Sequence, residues 1–256
     1  MAIFTAYFDA SGSAVDQPFI IVSGYVANYL QWKMFENEWG LCHAKYGLDI
    51  PFHMAEFVAA CEQPAYKNQR NARADYVAIA QDPEKALDFL KQLSGIQRVY
   101  VHCGISCIVP MSLYQGVSSL LDLRKVVPPY ALGARMCIER LHQWEKQFAI
   151  QQPAEYIFEL GDFEQGQFTH LMVDEGQSPP IYKKKAEFAG LQGADEYAWE
   201  QFYFLKGHQQ GLQRDPRPSF QRLLHEIPKL HTEPTLETLI KLCEAKGIDP
   251  RTGITK

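Results

Sequence analysis

Ile3-Phe4-Thr5-Ala6-Tyr7-Phe8-Asp9-Ala10-Ser11-Gly12-Ser13 is the stretch around which the chain is organised. Ile3 to Phe8 is apolar, β-branched and aromatic, which predicts a buried strand. Asp9 ends that run. Ser11-Gly12-Ser13 supplies turn chemistry, with Gly12 free to take a positive φ. The pattern holds a carboxylate at the tip of a rigid strand. Such a carboxylate starts an Asx-turn in many proteins, and it is also a firm place to fix a metal ligand.

Outward from this strand, Pro18 to Val26 predicts a second strand, close enough in sequence to form an antiparallel hairpin with the first. Val99 to Val109 predicts a third, closed by Pro110, and Ala154 to Leu160 a fourth, followed by Gly161-Asp162. Ile181 to Phe188 reads as a short edge strand with Lys183, Lys184 and Lys185 exposed. Trp32, Phe35, Trp39, Cys42 and Tyr46 recur at three- and four-residue steps, so they mark one core-facing helix stripe that Gly47 ends. Asp82-Pro83-Glu84 starts another helix, running to Leu93 with Gly95 as its stop. Further helices are predicted over Met111–Leu123, from Pro128-Pro129 through Phe148, over Phe163–Met172 and over Leu191–Leu205. Glu62 to Arg73 reads as a polar surface loop. After His208 only one short helix is expected, marked by Leu236, Leu239, Ile240 and Cys243. A hairpin followed by alternating helices and strands predicts an α/β architecture, a mixed sheet flanked by helices with helical insertions. Residues 1–208 form that domain, and 209–256 a C-terminal extension packed on its core.

The 256 residues are 46% hydrophobic with a net charge of -5, which suits one large core and argues against a broad basic face for gripping nucleic acid. A small local basic patch stays open. None of the six cysteines forms a C-x-x-C pair, so they are expected to be reduced core residues. No basic stretch leads a long apolar run and no run approaches the roughly 20 apolar residues of a membrane span, so a cytoplasmic location without a membrane partner is expected. There is no phosphate-binding glycine loop and no G-x-S-x-G elbow.

Asp195 is the acid that helical geometry singles out. Leu191, Ala194, Ala198, Phe202 and Leu205 cluster on one side of their helix, and Asp195 falls roughly 50° from the centre of that stripe. Glu196 and Glu200 fall outside it and are expected in solvent. His53 and Glu56, three apart, could share a helix face or be ordinary polar residues at a helix start.

Three pieces in this order resemble the microbial and phage family called domain of unknown function 3800: Tyr7-Phe8-Asp9-Ala10-Ser11-Gly12, Ile157-Phe158-Glu159-Leu160-Gly161-Asp162, and Leu191-Gln192-Gly193-Ala194-Asp195. The resemblance covers roughly residues 3 to 207. It implies a ribonuclease H-like fold with an acidic active site, in which Asp9 and Asp195 match family aspartates and the later strand's acid is Glu159 or Asp162. Relatives often carry Glu directly after the first Asp, where this chain has Ala10. Should Asp9, Glu159 and Asp195 converge, their repulsion is relieved by a hard cation, and an all-oxygen set favours Mg²⁺ or Mn²⁺. The resulting expectation is metal-dependent hydrolysis of a nucleic-acid phosphodiester, with Asp162 either a further ligand or a group that supports the ligands from behind, and His170 a distant candidate for proton transfer. The alternative is a catalytically silent nucleic-acid- or protein-binding module.

Overall fold

The computed structural model describes residues 3–12, 17–114, 127–162, 164–212 and 215–249. Strand β1 (Phe4–Ser11) pairs antiparallel with β2 (Phe19–Asn28), as the hairpin pattern predicts. Helices α1 (Tyr29–Tyr46), α2 (Met54–Glu62), α3 (Ala74–Ala80) and α4 (Pro83–Tyr100) follow, then β3 (Cys103–Pro110). The chain continues through α5 (Pro129–Gln147), β4 (Glu155–Glu159), α6 (Gln165–Asp174), β5 (Ile181–Lys183) and α7 (Ala189–Gln209). It closes with α8 (Pro218–Glu226), β6 (Lys229–Thr232) and α9 (Leu236–Ala245). The six strands make one mixed sheet in the order β5-β4-β1-β2-β3-β6, with β1 in the interior. This is a ribonuclease H-like α/β fold.

Strand alternation builds two cores, one on each face of the sheet. Phe8 and Phe158 turn to one face, where they join Leu141 of α5, Phe168 of α6 and Leu239 of α9. Tyr7 and Ile157 turn to the other, with Trp32, Phe35 and Trp39 of α1, Phe89 of α4, Leu191 of α7 and Leu223 of α8. Trp32 and Trp39 are therefore core residues, each anchored by an indole N–H, to the Thr5 carbonyl at 2.9 Å and to Gln192 at 3.0 Å. Among the described residues, no helix is long and apolar enough to cross a membrane.

Several local expectations change. Helix α4 runs through Gly95 to Tyr100, because its buried stripe continues past Leu93 to Ser94 and Gln97. The third strand consequently starts at Cys103, and Val99 lies exposed on the helix. Met111–Tyr114 is a short 3₁₀ turn, and the rest of the helix expected there lies outside the described residues. The segment after residue 208 holds two helices and a strand rather than one helix, and β6 pairs parallel with β3 at the sheet edge. Cys61 is exposed, while the other five free cysteines are buried.

Candidate functional site

The register of β1 against β4 brings the first two acids together. Phe8 pairs with Phe158, so Asp9 and Glu159 stand side by side one step further along parallel strands. Each lies two residues beyond a side chain of the α7 face, Tyr7 and Ile157, so by strand alternation both carboxylates turn towards α7. Gly190 lets that helix come close, since a Cβ there would lie 2.4 Å from the Tyr7 ring. Two residues further on, Gln192 accepts the Phe52 N–H at 2.8 Å and donates to the Lys185 carbonyl at 3.3 Å. Asp195 then accepts the Met54 N–H at 2.6 Å. The Gln192 and Asp195 pair thus clamps residues 52–54 and Lys185 against the helix.

The Lys185 ammonium is the centre of the arrangement. Its Nζ lies 2.9 Å from Asp9 Oδ2, 2.9 Å from Glu159 Oε2 and 2.8 Å from Asp195 Oδ1. Sequence reading placed Lys185 on an exposed edge. It is 8% exposed instead, because β5 ends at Lys183 and a 3₁₀ turn over Lys185–Glu187 points the third lysine inward. A run of three lysines gives no signal of which one is buried. Asp162 joins from the turn after β4 and lines the same pocket, of about 390 Å³, with His53 at its rim. His53 Nδ1 is 4.0 Å from Asp195 Oδ2, whereas Glu56 turns away to pair with Arg73 at 2.5 Å. His170 is exposed on α6 and does not line this pocket.

Charge divides unequally among the acids. Burial pushes Asp9 well above the usual carboxylate range, Lys185 pulls it down, and Asp195 and Glu159 push it up again. Burial also pushes Asp195 up, but Lys185, His53 and the Met54 amide outweigh it and hold Asp195 below its ordinary value. Burial, with Asp9 nearby, pushes Asp162 up to about 8. Lys185 is penalised by burial yet held above its ordinary value by Asp9, Asp195 and Glu159. Asp195 therefore carries the firm negative charge opposite Lys185, whereas burial and the neighbouring acids disfavour charge on Asp9 and Asp162.

Two acids expected in solvent are buried. Glu196 accepts a hydrogen bond from Gln97 at 2.5 Å, and Glu200 pairs with Arg217 at 3.1 Å. The helical wheel assumed one solvent side, but α7 packs on β1 and β2 and is also covered by α1, α2 and α8.

No protein-family model matches the chain, and no curated protein matches it in sequence.

The donor chemistry suits Mg²⁺ or Mn²⁺: every candidate ligand is a carboxylate, and Asp162 Oδ2 is buried without a hydrogen-bond partner. The arrangement, however, has an ammonium at its focal point. Among the described residues no group of three or more His, Cys, Asp or Glu side chains is set to hold a metal ion.

Proposed function

We propose that the acidic pocket is the centre of a divalent-metal-dependent phosphodiester hydrolase. The observation that carries this reading is the meeting of Asp9, Glu159 and Asp195, from three separate elements, within 2.8–2.9 Å of one cationic point. Stability alone gives little reason to gather them, since buried ion pairs are often no more stable than apolar packing. With Asp162, four carboxylates face one ammonium, so the site has acid to spare for a further positive charge. A hard ion shared by Asp9, Glu159, Asp162 and Asp195 would activate water and neutralise charge building on the phosphate. The chain's own share is to hold Asp9 and Glu159 on adjacent strands and to fix Asp195 through the Met54 N–H. Hydrolysis adds water across one P–O ester bond and leaves a phosphate monoester and an alcohol. The resemblance to domain of unknown function 3800 supports the same reading, as does the fold.

Lys185 favours a second reading, a silent binding module in which the ammonium permanently fills the cation position. Melting with and without Mn²⁺, on the wild type and on Asp9→Asn, separates the two. The hydrolase reading expects a rise of about 2.7 kcal/mol at 100 times the dissociation constant, lost in the variant. It also expects Mn²⁺-dependent cleavage in a panel of labelled DNA and RNA that stops with chelator. Equal melting shifts in both proteins, or cleavage that survives chelator, rules it out.

A further inference from the structure

The acids occupy only one end of their pocket. The same pocket wall continues along α7 as Asp195, Trp199, Phe202 and Lys206, spaced i, i+4, i+7 and i+11 on one helix face. At 1.5 Å per residue, Trp199 stands about 6 Å along the axis from Asp195 and Lys206 about 16 Å. A carboxylate, two aromatic rings and an ammonium therefore follow each other down a single groove.

The aromatic pair is held in place before any ligand arrives. Trp32, Trp39 and Trp144 are buried, whereas Trp199 presents part of its ring to solvent. It stacks on Tyr203 at 4.7 Å and 15°, and the Arg217 guanidinium sits 4.9 Å from its centroid. Arg217 is itself fixed by Glu200 and Glu62, at 3.1 and 2.5 Å. Phe202 meets Phe19 edge-on at 5.4 Å, and Gly12, at φ +84°, leaves it room: a Cβ there would lie 2.6 Å from the Phe202 ring. The turn that ends β1 thus serves the aromatic wall as well as Asp9. Lys206 Nζ lies 5.4 Å from the Phe202 centroid and 2.9 Å from Gln17.

We propose, resting on the hydrolase reading, that this wall makes the substrate a single-stranded nucleic acid: an unpaired base stacks on the Trp199–Phe202 wall and Lys206 takes a backbone phosphate, which sets the next phosphodiester over the acids. Stacking on aromatic rings tolerates any base and needs an exposed base face. A duplex keeps those faces against each other, so it gains nothing from Trp199. One cation at the far end, rather than a broad basic surface, also matches the chain's net charge of -5.

The test is binding in the presence of chelator, where no turnover is needed. Fluorescently labelled 12-mers of single-stranded DNA, single-stranded RNA and duplex DNA are titrated with the wild type, Trp199→Ala, Trp199→Phe and Lys206→Met. Single strands should bind tighter than duplex, and the DNA and RNA arms report which sugar is preferred. Trp199→Ala should weaken single-strand binding about 10- to 100-fold, Trp199→Phe should restore most of it, and Lys206→Met should lower the salt slope by about one phosphate. Restoration by phenylalanine separates stacking from a folding defect. Equal affinity for duplex and single strand, or the same loss in Trp199→Phe as in Trp199→Ala, overturns the proposal. Single-strand binding that depends on Trp199 but is never followed by Mn²⁺-dependent cleavage removes the hydrolase reading and keeps the stacking wall.

Discussion

Replacing Lys185 with Met keeps most of the side chain's length and removes its charge. The ammonium that Asp9, Glu159 and Asp195 share at 2.8–2.9 Å is then gone from a position 8% exposed. Asp195 keeps the Met54 N–H and a histidine at 4.0 Å but loses its strongest partner. The metal-free variant has two ways to respond, and both give a similar cost. Leaving a buried carboxylate without its partner costs about 3–5 kcal/mol. Protonating Asp195 instead, at pH 7, means working three units above an unperturbed aspartate, at about 1.4 kcal/mol per unit, or about 4 kcal/mol. In the wild type Asp195 is held below its ordinary value. Its contribution to stability is therefore present above the unfolded value near 3.9 and lost as pH falls through the folded value. The gap between wild type and Lys185→Met is therefore already open at pH 4, and it should widen by up to about 1.4 kcal/mol per pH unit towards pH 7 as the variant's Asp195, without the ammonium, has to hold its proton or bear an unpaired charge. On the alkaline side the pair persists beyond the ordinary lysine range, because the surrounding acids hold Lys185 up. Urea unfolding in chelator at pH 4, 5, 6 and 7 measures this. With a slope near 3 kcal/mol per molar, the midpoint at pH 7 should drop by about 1–2 M. A variant as stable as wild type at pH 7, or a gap that does not change with pH, would refute the shared ion pair. Under the hydrolase reading, Mn²⁺ should restore most of the lost stability in Lys185→Met, because the ion takes over the neutralisation of the same three acids.

Asp162→Asn should flatten the pH dependence of melting in chelator. Burial and Asp9 push Asp162 up to about 8, so its contribution is complete below the unfolded value near 3.9 and is lost as pH rises towards 8; an unchanged slope between pH 5 and 8 contradicts the assignment. Glu196→Gln should leave stability at pH 7 unchanged or higher, because burial, with Glu200 beside it, disfavours charge on Glu196 and the amide keeps an oxygen to accept from Gln97; a loss above about 1 kcal/mol by urea unfolding tells against that. Gly190→Ala should lower stability by about 1–3 kcal/mol through its clash with the Tyr7 ring, and a neutral effect would show that α7 tolerates a wider gap over β1.

The strands that carry Asp9 and Glu159 were legible because their apolar runs are long and end in acids, and strand pairing did the rest. Asp195 was legible because three- and four-residue spacing puts it close to the buried stripe. Glu196 and Glu200 were misread by the same arithmetic. It finds the most apolar side of a helix but not whether the opposite side meets water, and α7 is enclosed by the sheet and by α1, α2 and α8. Strand β6 carries no strand signal because Lys229-Leu230-His231-Thr232 is short and has one apolar residue; pairing with the edge of β3 makes it a strand.

Lys185 shows where local pattern stops carrying information. Lys183, Lys184 and Lys185 have the same local composition, and an edge strand with exposed lysines is a common solution. What separates them is a long-range fact: β5 pairs with β4 for only three residues, Ile181 to Lys183, and the chain then turns across the end of β4. The third lysine is carried to Glu159 at the end of β4 and to Asp195, ten residues ahead on α7. Its burial is affordable only because three acids wait there, and each acid is tolerated near the others only because the lysine is present. The charges are therefore one unit, and no single member of it could be assigned its environment from the sequence around it. The same coupling means that a substitution at any one of the four will shift the protonation of the rest. In urea unfolding, the Asp9→Asn, Asp195→Asn double variant should differ from the sum of the two single variants by at least about 0.5 kcal/mol, and a strictly additive set would show that the cluster is a collection of separate contacts.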